Sequence, residues 1–144
     1  MKTVLVLNGP NLSQLGAREP DIYGERNWGE LVAAIEQQAQ SVGLISDVRQ
    51  TDSESELISW LHEAKANGFD VVINPAAFTH YSYALRDACA MVTQSKLRLI
   101  EVHISNPHAR EQFRHTSVIS GVATGVIAGF GFDSYRLALL QLAK

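Results

Sequence analysis

Cysteine, proline, net charge and long apolar runs are all scarce in this 144-residue chain, and each scarcity removes a class of function. A single cysteine, Cys89, rules out an internal disulfide and any Cys-rich metal site. It lies in Ala88-Cys89-Ala90-Met91, where a small buried thiol in a helix is the better reading than a nucleophile. Twelve basic residues face 15 acidic ones, for a formal net charge of -3 and no basic cluster, which argues against nucleic acid. No apolar stretch approaches membrane-spanning length. The run from Thr3 to Leu7 is too short for a secretory signal core, so a cytoplasmic location is the expectation. The five histidines show no ligand spacing, and neither Cys-x-x-Cys nor His-Glu-x-x-His occurs, so no metal site is expected. No Gly-x-Gly-x-x-Gly follows the first strand, and no Gly-x-x-x-x-Gly-Lys is present. Asn8-Gly9-Pro10-Asn11 is a poor phosphate loop for a flavin. A phospho-acceptor receiver would need acidic residues where this chain has Asn8 and Asn74.

What remains is an ordinary soluble composition, 46% apolar and 19% charged, enough for one catalytic domain over residues 1–144. Strand-like and helix-like segments alternate from end to end. Thr3 to Leu7 reads as a buried strand, followed by an irregular stretch from Asn8 to Gly24. Asn27 with Glu30 is a capping box, and the helix it starts ends at Gly43. Leu44 to Gln50 reads as an edge strand with one polar face. Ser53 with Glu56 suggests a second capping box, for a helix closed by Gly68. Val71 to Ile73 is an apolar strand ending at Asn74-Pro75. Ser82 to Val92 reads as a helix with Tyr83, Ala84, Ala88, Met91 and Val92 on its apolar side. Leu97 to Ile104 is a fourth strand. Asn106-Pro107 predicts a short helix through Phe113. Val122 to Ala128 is a fifth strand, and its apolar run, like that of the third, suits a central position. Asp133 is expected to cap a last helix through Leu142. This alternation predicts an α/β fold, a five-stranded parallel sheet in the flavodoxin-like order 2-1-3-4-5 with helices on both faces.

In such sheets ligands bind beyond the carboxyl ends of the strands. Those ends collect Asn8 and Asn11, Asn74 with Thr79-His80, Glu101 and His103, and Ser105-Asn106. Glu101 and His103 are two apart on a strand and share a face. They read equally well as a histidine held by a carboxylate for proton transfer and as a structural pair. His80 reads as a binding group or an exposed loop histidine. Arg110 and Arg114 would share a helix face and either bind an anion or pair with Glu111. Ser105 and the backbone N–H groups opening that helix would form an anion site. Asp87 would pair with Arg86 or reach a neighbouring chain.

The long first loop carries Arg18 and Tyr23 between Gly16 and Gly24, as a mobile lid over residues 16–24 would. Tyrosine is a poor base at neutral pH, and lowering its pKa by about three units takes roughly 4 kcal/mol. A nearby guanidinium in a dry site supplies energy of that order. A tyrosinate base with a histidine acid suits removal of a proton next to a carbonyl, then loss of water. An amide such as Asn11 would hold a water against the enolate oxygen.

Asn8-Gly-Pro-Asn-Leu, Gly16-x-Arg-Glu-Pro-x-x-Tyr-Gly24, Asn74-Pro-Ala-Ala-x-Thr-His80, Leu85-Arg-Asp-Ala88, Glu101-Val-His-Ile-Ser-Asn106 and His108-Ala-Arg-Glu-x-Phe-Arg114 together resemble type II 3-dehydroquinate dehydratase. The resemblance implies a cofactor-free homododecamer built from trimers, converting 3-dehydroquinate to 3-dehydroshikimate in aromatic amino-acid biosynthesis. By the same resemblance Tyr23 is the base, Arg18 its activator, His103 the acid, Glu101 its orienting group and Asn11 the water holder. Asn74, His80, Ile104, Ser105 and Arg114 are implied substrate contacts, and Asp87 a residue given across a subunit boundary. Tyr81 and Pro107 depart from the family's usual threonine and aliphatic residue. The reading from another class is a flavodoxin-like module that binds a nucleotide or small anion without chemistry.

Overall fold

The computed structural model describes residues 1–17 and 26–144. Its strands are β1 (Lys2–Asn8), β2 (Leu44–Gln50), β3 (Asp70–Asn74), β4 (Leu99–His103) and β5 (Gly125–Ala128). Its helices are α1 (Trp28–Ser41), α2 (Glu54–Asn67), α3 (Tyr83–Gln94) and α4 (Asp133–Leu142). The strands form one parallel sheet in the order β2-β1-β3-β4-β5, as the alternation implied.

Alternation along β1 divides the core between the two faces. Val4 and Val6 pack with Leu31, Ile35, Tyr135 and Leu139 of α1 and α4. Leu5 and Leu7 pack with Leu57, Leu61, Leu85 and Cys89 of α2 and α3. The same alternation places Asn8 and Asn74 on the α4 face and Glu101 on the α3 face. Register puts Asn8 beside Asn74, and Ile73 beside Glu101, so these three polar residues gather at one edge.

The helix boundaries follow local chemistry. Asn27 and Glu30 form the reciprocal capping box in full. Ser53 gives only half of one: its Oγ accepts from Glu56 N–H, but its own N–H goes to Thr51 Oγ1. Gly68 ends α2 at φ 72°, where a Cβ would be strained.

Several expectations change. The stretch after β1 is not wholly irregular, because Leu12–Gln14 make a 3-10 turn that sends Leu12 and Leu15 into the core. The helix expected after Asn106 is instead two short 3-10 turns, Pro107–Ala109 and Gln112–His115. Between them Arg110 is extended; its guanidinium donates to Ser105 Oγ at 3.2 Å and its carbonyl accepts from His115 Nε2 at 3.1 Å. β5 is an edge strand, with Val126 47% exposed, since order 2-1-3-4-5 places no strand of the described residues beyond it. Asp133 does not cap α4; the cap position is Phe132, and Asp133 pairs with Arg136 at 2.6 Å. Tyr83 and Met91 lie on the exposed side of α3, whose buried side is Leu85, Ala88, Cys89 and Val92.

Candidate active site

A cavity opens at the carboxyl ends of β1, β3 and β4. Asn11, Asn74, His80, His103, Ile104, Ser105, Arg110 and Arg114 are among the residues that line it. Eight candidate site residues from the sequence therefore meet in one place.

One lining residue, Asn74, belongs to a buried network of amides. Asn74 Nδ2 donates to the Tyr135 hydroxyl at 2.8 Å, which donates to Asn8 Oδ1 at 2.7 Å. Asn8 Nδ2 donates onward to Arg49 O, and Asn74 Oδ1 accepts from Ala76 N–H. That last bond holds Ala76 at φ 53°, a conformation costly for a residue with a Cβ. Gly9 lies so close to the next strand end that a Cβ would sit 2.6 Å from Pro75 O. Burial pushes the Tyr135 hydroxyl well above its usual pKa, so it stays protonated to donate. Asn11 takes the left-handed conformation at φ 71°, and its N–H is held by Asp52 at 2.9 Å.

The end of β4 carries charge. Glu101 is 1% exposed and meets His103 Nε2 in a short contact. Its remaining acceptor capacity is filled by hydroxyls: Ser120 at 2.7 Å, Thr79 at 2.9 Å and Ser117 at 3.1 Å. Burial alone would raise its pKa. The His103 hydrogen bond and charge, with Ser120 and Thr79, outweigh burial and hold the carboxyl below its ordinary value. With Nε2 committed to Glu101, Nδ1 is the ring nitrogen left for the cavity that His103 lines.

His80 Nδ1 meets Thr116 O at 2.8 Å, so Nδ1 carries the proton and Nε2 is the acceptor in the neutral ring. Burial, with Arg114 and His103 nearby, lowers its pKa and favours that neutral form. Arg114 stands against Glu111 at 2.9 Å and over the Phe113 ring at 4.6 Å. It keeps further donors for an anion in the cavity.

Asp87 is not at the cavity. Its side chain is 72% exposed on α3 and pairs with Arg86 at 2.8 Å. Arg18, Tyr23 and most of the expected lid fall outside the described residues. Sequence reasoning missed the Ser117–Ser120 hydroxyls and Tyr135. A buried carboxylate without a lysine or arginine partner requires hydroxyl donors, but nothing in the spacing says which.

A flavodoxin-like sheet with a carboxylate–histidine pair at the edge of its strand-end cavity defines an α/β protein equipped for proton transfer. The model for the class II dehydroquinase family matches residues 2–143. The 3-dehydroquinate dehydratase of Salinispora tropica is 56% identical over 140 residues, covering 97% of this chain and 96% of its own. The corresponding Pseudomonas aeruginosa protein, 3-dehydroquinate dehydratase 2, is 52% identical, over 99% and 95%. The crystal structure of type II dehydroquinase from Propionibacterium acnes superposes with a TM-score of 0.95 at 50% identity, covering 99% of this chain and 97% of that one. The chain belongs to the class II dehydroquinase family.

Proposed function

We propose that this chain dehydrates 3-dehydroquinate to 3-dehydroshikimate, reversibly and through an enolate, as a step toward aromatic amino acids. The observation that carries the chemistry is His103, tied through Nε2 to a buried carboxylate and bordering a cavity that also holds Asn11, Ser105 and Arg114. Tyr23, activated by Arg18, removes the proton next to the ketone. Asn11 holds a water against the enolate oxygen. His103, oriented by Glu101, gives a proton to the departing hydroxyl, so the products are the conjugated enone and water. Arg114, Ser105, Asn74 and the Ile104 segment take the substrate carboxylate and ring. Neutral His80 offers Nε2 to a substrate hydroxyl.

Residues 16–24 act as the lid that brings Arg18 and Tyr23 to the cavity. Asp87, solvent-facing and paired with Arg86 of its own helix turn, serves a neighbouring subunit in a dodecamer of trimers. Sedimentation would show that assembly. The protein works in the cytoplasm without a metal or cofactor. Among the described residues no group of side chains could hold a metal ion, and no helix is long and apolar enough to cross a membrane.

The test is to incubate the purified protein with 3-dehydroquinate and a chelator, and to follow the enone by ultraviolet absorbance. Turnover is expected, with severe loss in Tyr23→Phe. No turnover by the unaltered protein would overturn the function; full turnover by Tyr23→Phe would overturn the mechanism.

A further inference from the structure

We infer that Ser120 and Thr79 are positioning residues for proton donation: their hydroxyls fix Glu101 as an ionised acceptor behind His103, and so fix the ring itself. The inference rests on the reading of His103 as the proton donor.

The two hydroxyls come from separate elements. Thr79 lies in the turn after β3 and Ser120 in the turn before β5, and Val118 N–H donates to Thr79 O at 2.8 Å to join those segments. Ser120 donates to Oε1 of Glu101, while Thr79 donates to Oε2, the oxygen that also meets His103. Thr79 Oγ1 also lies 2.9 Å from Ser117 Oγ. Ser117 has a second duty, since its Oγ accepts the N–H groups of Ile119 and Ser120 and so shapes the turn. Ser120 and Thr79 are therefore the cleaner probes.

An ionised carboxylate only accepts hydrogen bonds. Surrounded by donors, Glu101 is held in that form, and a protonated Glu101 would set its O–H against hydroxyls already turned toward it. The anion in turn requires a proton on His103 Nε2. The cationic ring then carries its second proton on Nδ1, toward the cavity. When Nδ1–H goes to the departing hydroxyl, the ring becomes neutral with Nε2–H still on Glu101, and no proton shifts within the pair. The groups facing Glu101 are His103 on its own strand, Cys89 from α3, and His80 and Arg114 from the neighbouring turns. His108 and His115 line the space behind. Cys89 is neutral, its thiol pushed up to about 12 by burial and by Glu101.

The experiment compares Ser120→Ala and Thr79→Val with the hydroxyl-retaining Ser120→Thr and Thr79→Ser. Each deletion is expected to lower kcat on 3-dehydroquinate about tenfold, the scale of a hydrogen bond to a charge. KM should hold within about twofold, because the lost group acts through the proton donor. The acid limb of kcat should move to higher pH, since a carboxylate with fewer donors protonates sooner as pH falls. The hydroxyl-retaining variants should restore both. Nitrogen-15 NMR of the His103 ring, free of substrate, should show the Nε2–H preference weakened in each deletion. Unchanged ring signals, with kcat and pH profile also unchanged, would overturn the inference. So would a fall in melting temperature with raised KM and unmoved ring signals, which marks a merely structural role. If the unaltered protein shows no turnover while the deletions still shift the ring signals, the proton-donor reading fails and the positioning stands.

Discussion

Asn8 and Asn74 face α4, whereas Glu101 faces α3, though all three belong to neighbouring strand ends. On the α4 face the polar groups are neutral, and they satisfy one another through the Tyr135 hydroxyl. On the α3 face an ionised carboxylate is surrounded by hydroxyls and one imidazole, and the imidazole has a nitrogen left for the cavity. A neutral network tied on to the Arg49 carbonyl and the Ala76 N–H fixes geometry. A network with one valence left open at a cavity has a group to offer a ligand there. The two also differ in what holds them: regular strands and a helix on one side, short 3-10 turns tied by side chains on the other.

Among effects on substrate binding, the largest is expected at the substrate anion. Arg114→Ala should raise KM for 3-dehydroquinate by about tenfold to a hundredfold, the scale of charged hydrogen bonds, with a melting temperature near that of the unaltered protein. Next is Tyr135→Phe, which leaves Asn8 Oδ1 and Asn74 Nδ2 short of a partner where both residues are buried. It should cost about 1–3 kcal/mol in urea unfolding while kcat stays within a few-fold. A collapse of kcat with stability intact would erase the distinction between the faces. Smaller, and confined to acid, is the linkage of Glu101. Its folded pKa lies below the ordinary 4.5, so its stabilisation is complete above that value and is lost as pH falls through the folded value. Melting temperature should therefore drop on that acid side, and Glu101→Gln should flatten the drop. Least is Cys89. With its pKa near 12 under full burial, it should react with a thiol reagent at pH 8 only as fast as the protein unfolds.

Much of the scaffold could be read before any coordinates. Asn27 with Glu30, Gly68, Asn74-Pro75 and the polar face of β2 are local signals, and local physics placed their elements. The apolar run of β5 carried no mark of its edge position, because the strand's exposed residues look like core when read singly. The helix after Asn106 failed on long side-chain contacts, from Arg110 to Ser105 and from His115 to the Arg110 carbonyl, which compete with helical hydrogen bonds. At the site, Glu101 and His103 were visible as a same-face pair on one strand. The hydroxyls that donate to Glu101 were not, since Ser117 and Ser120 reach it through a turn with no periodic pattern. Tyr135 was hidden for a similar reason: its hydroxyl meets Asn8 across a sequence separation of 127 residues.

The measurement that bears most directly on the central claim, that the α3 face performs the proton transfer, is kcat of His103→Ala on 3-dehydroquinate, taken together with its melting temperature. Loss of a general acid predicts a fall in kcat of about 10²–10⁴ with the fold retained. A kcat within a few-fold of the unaltered protein would contradict the account.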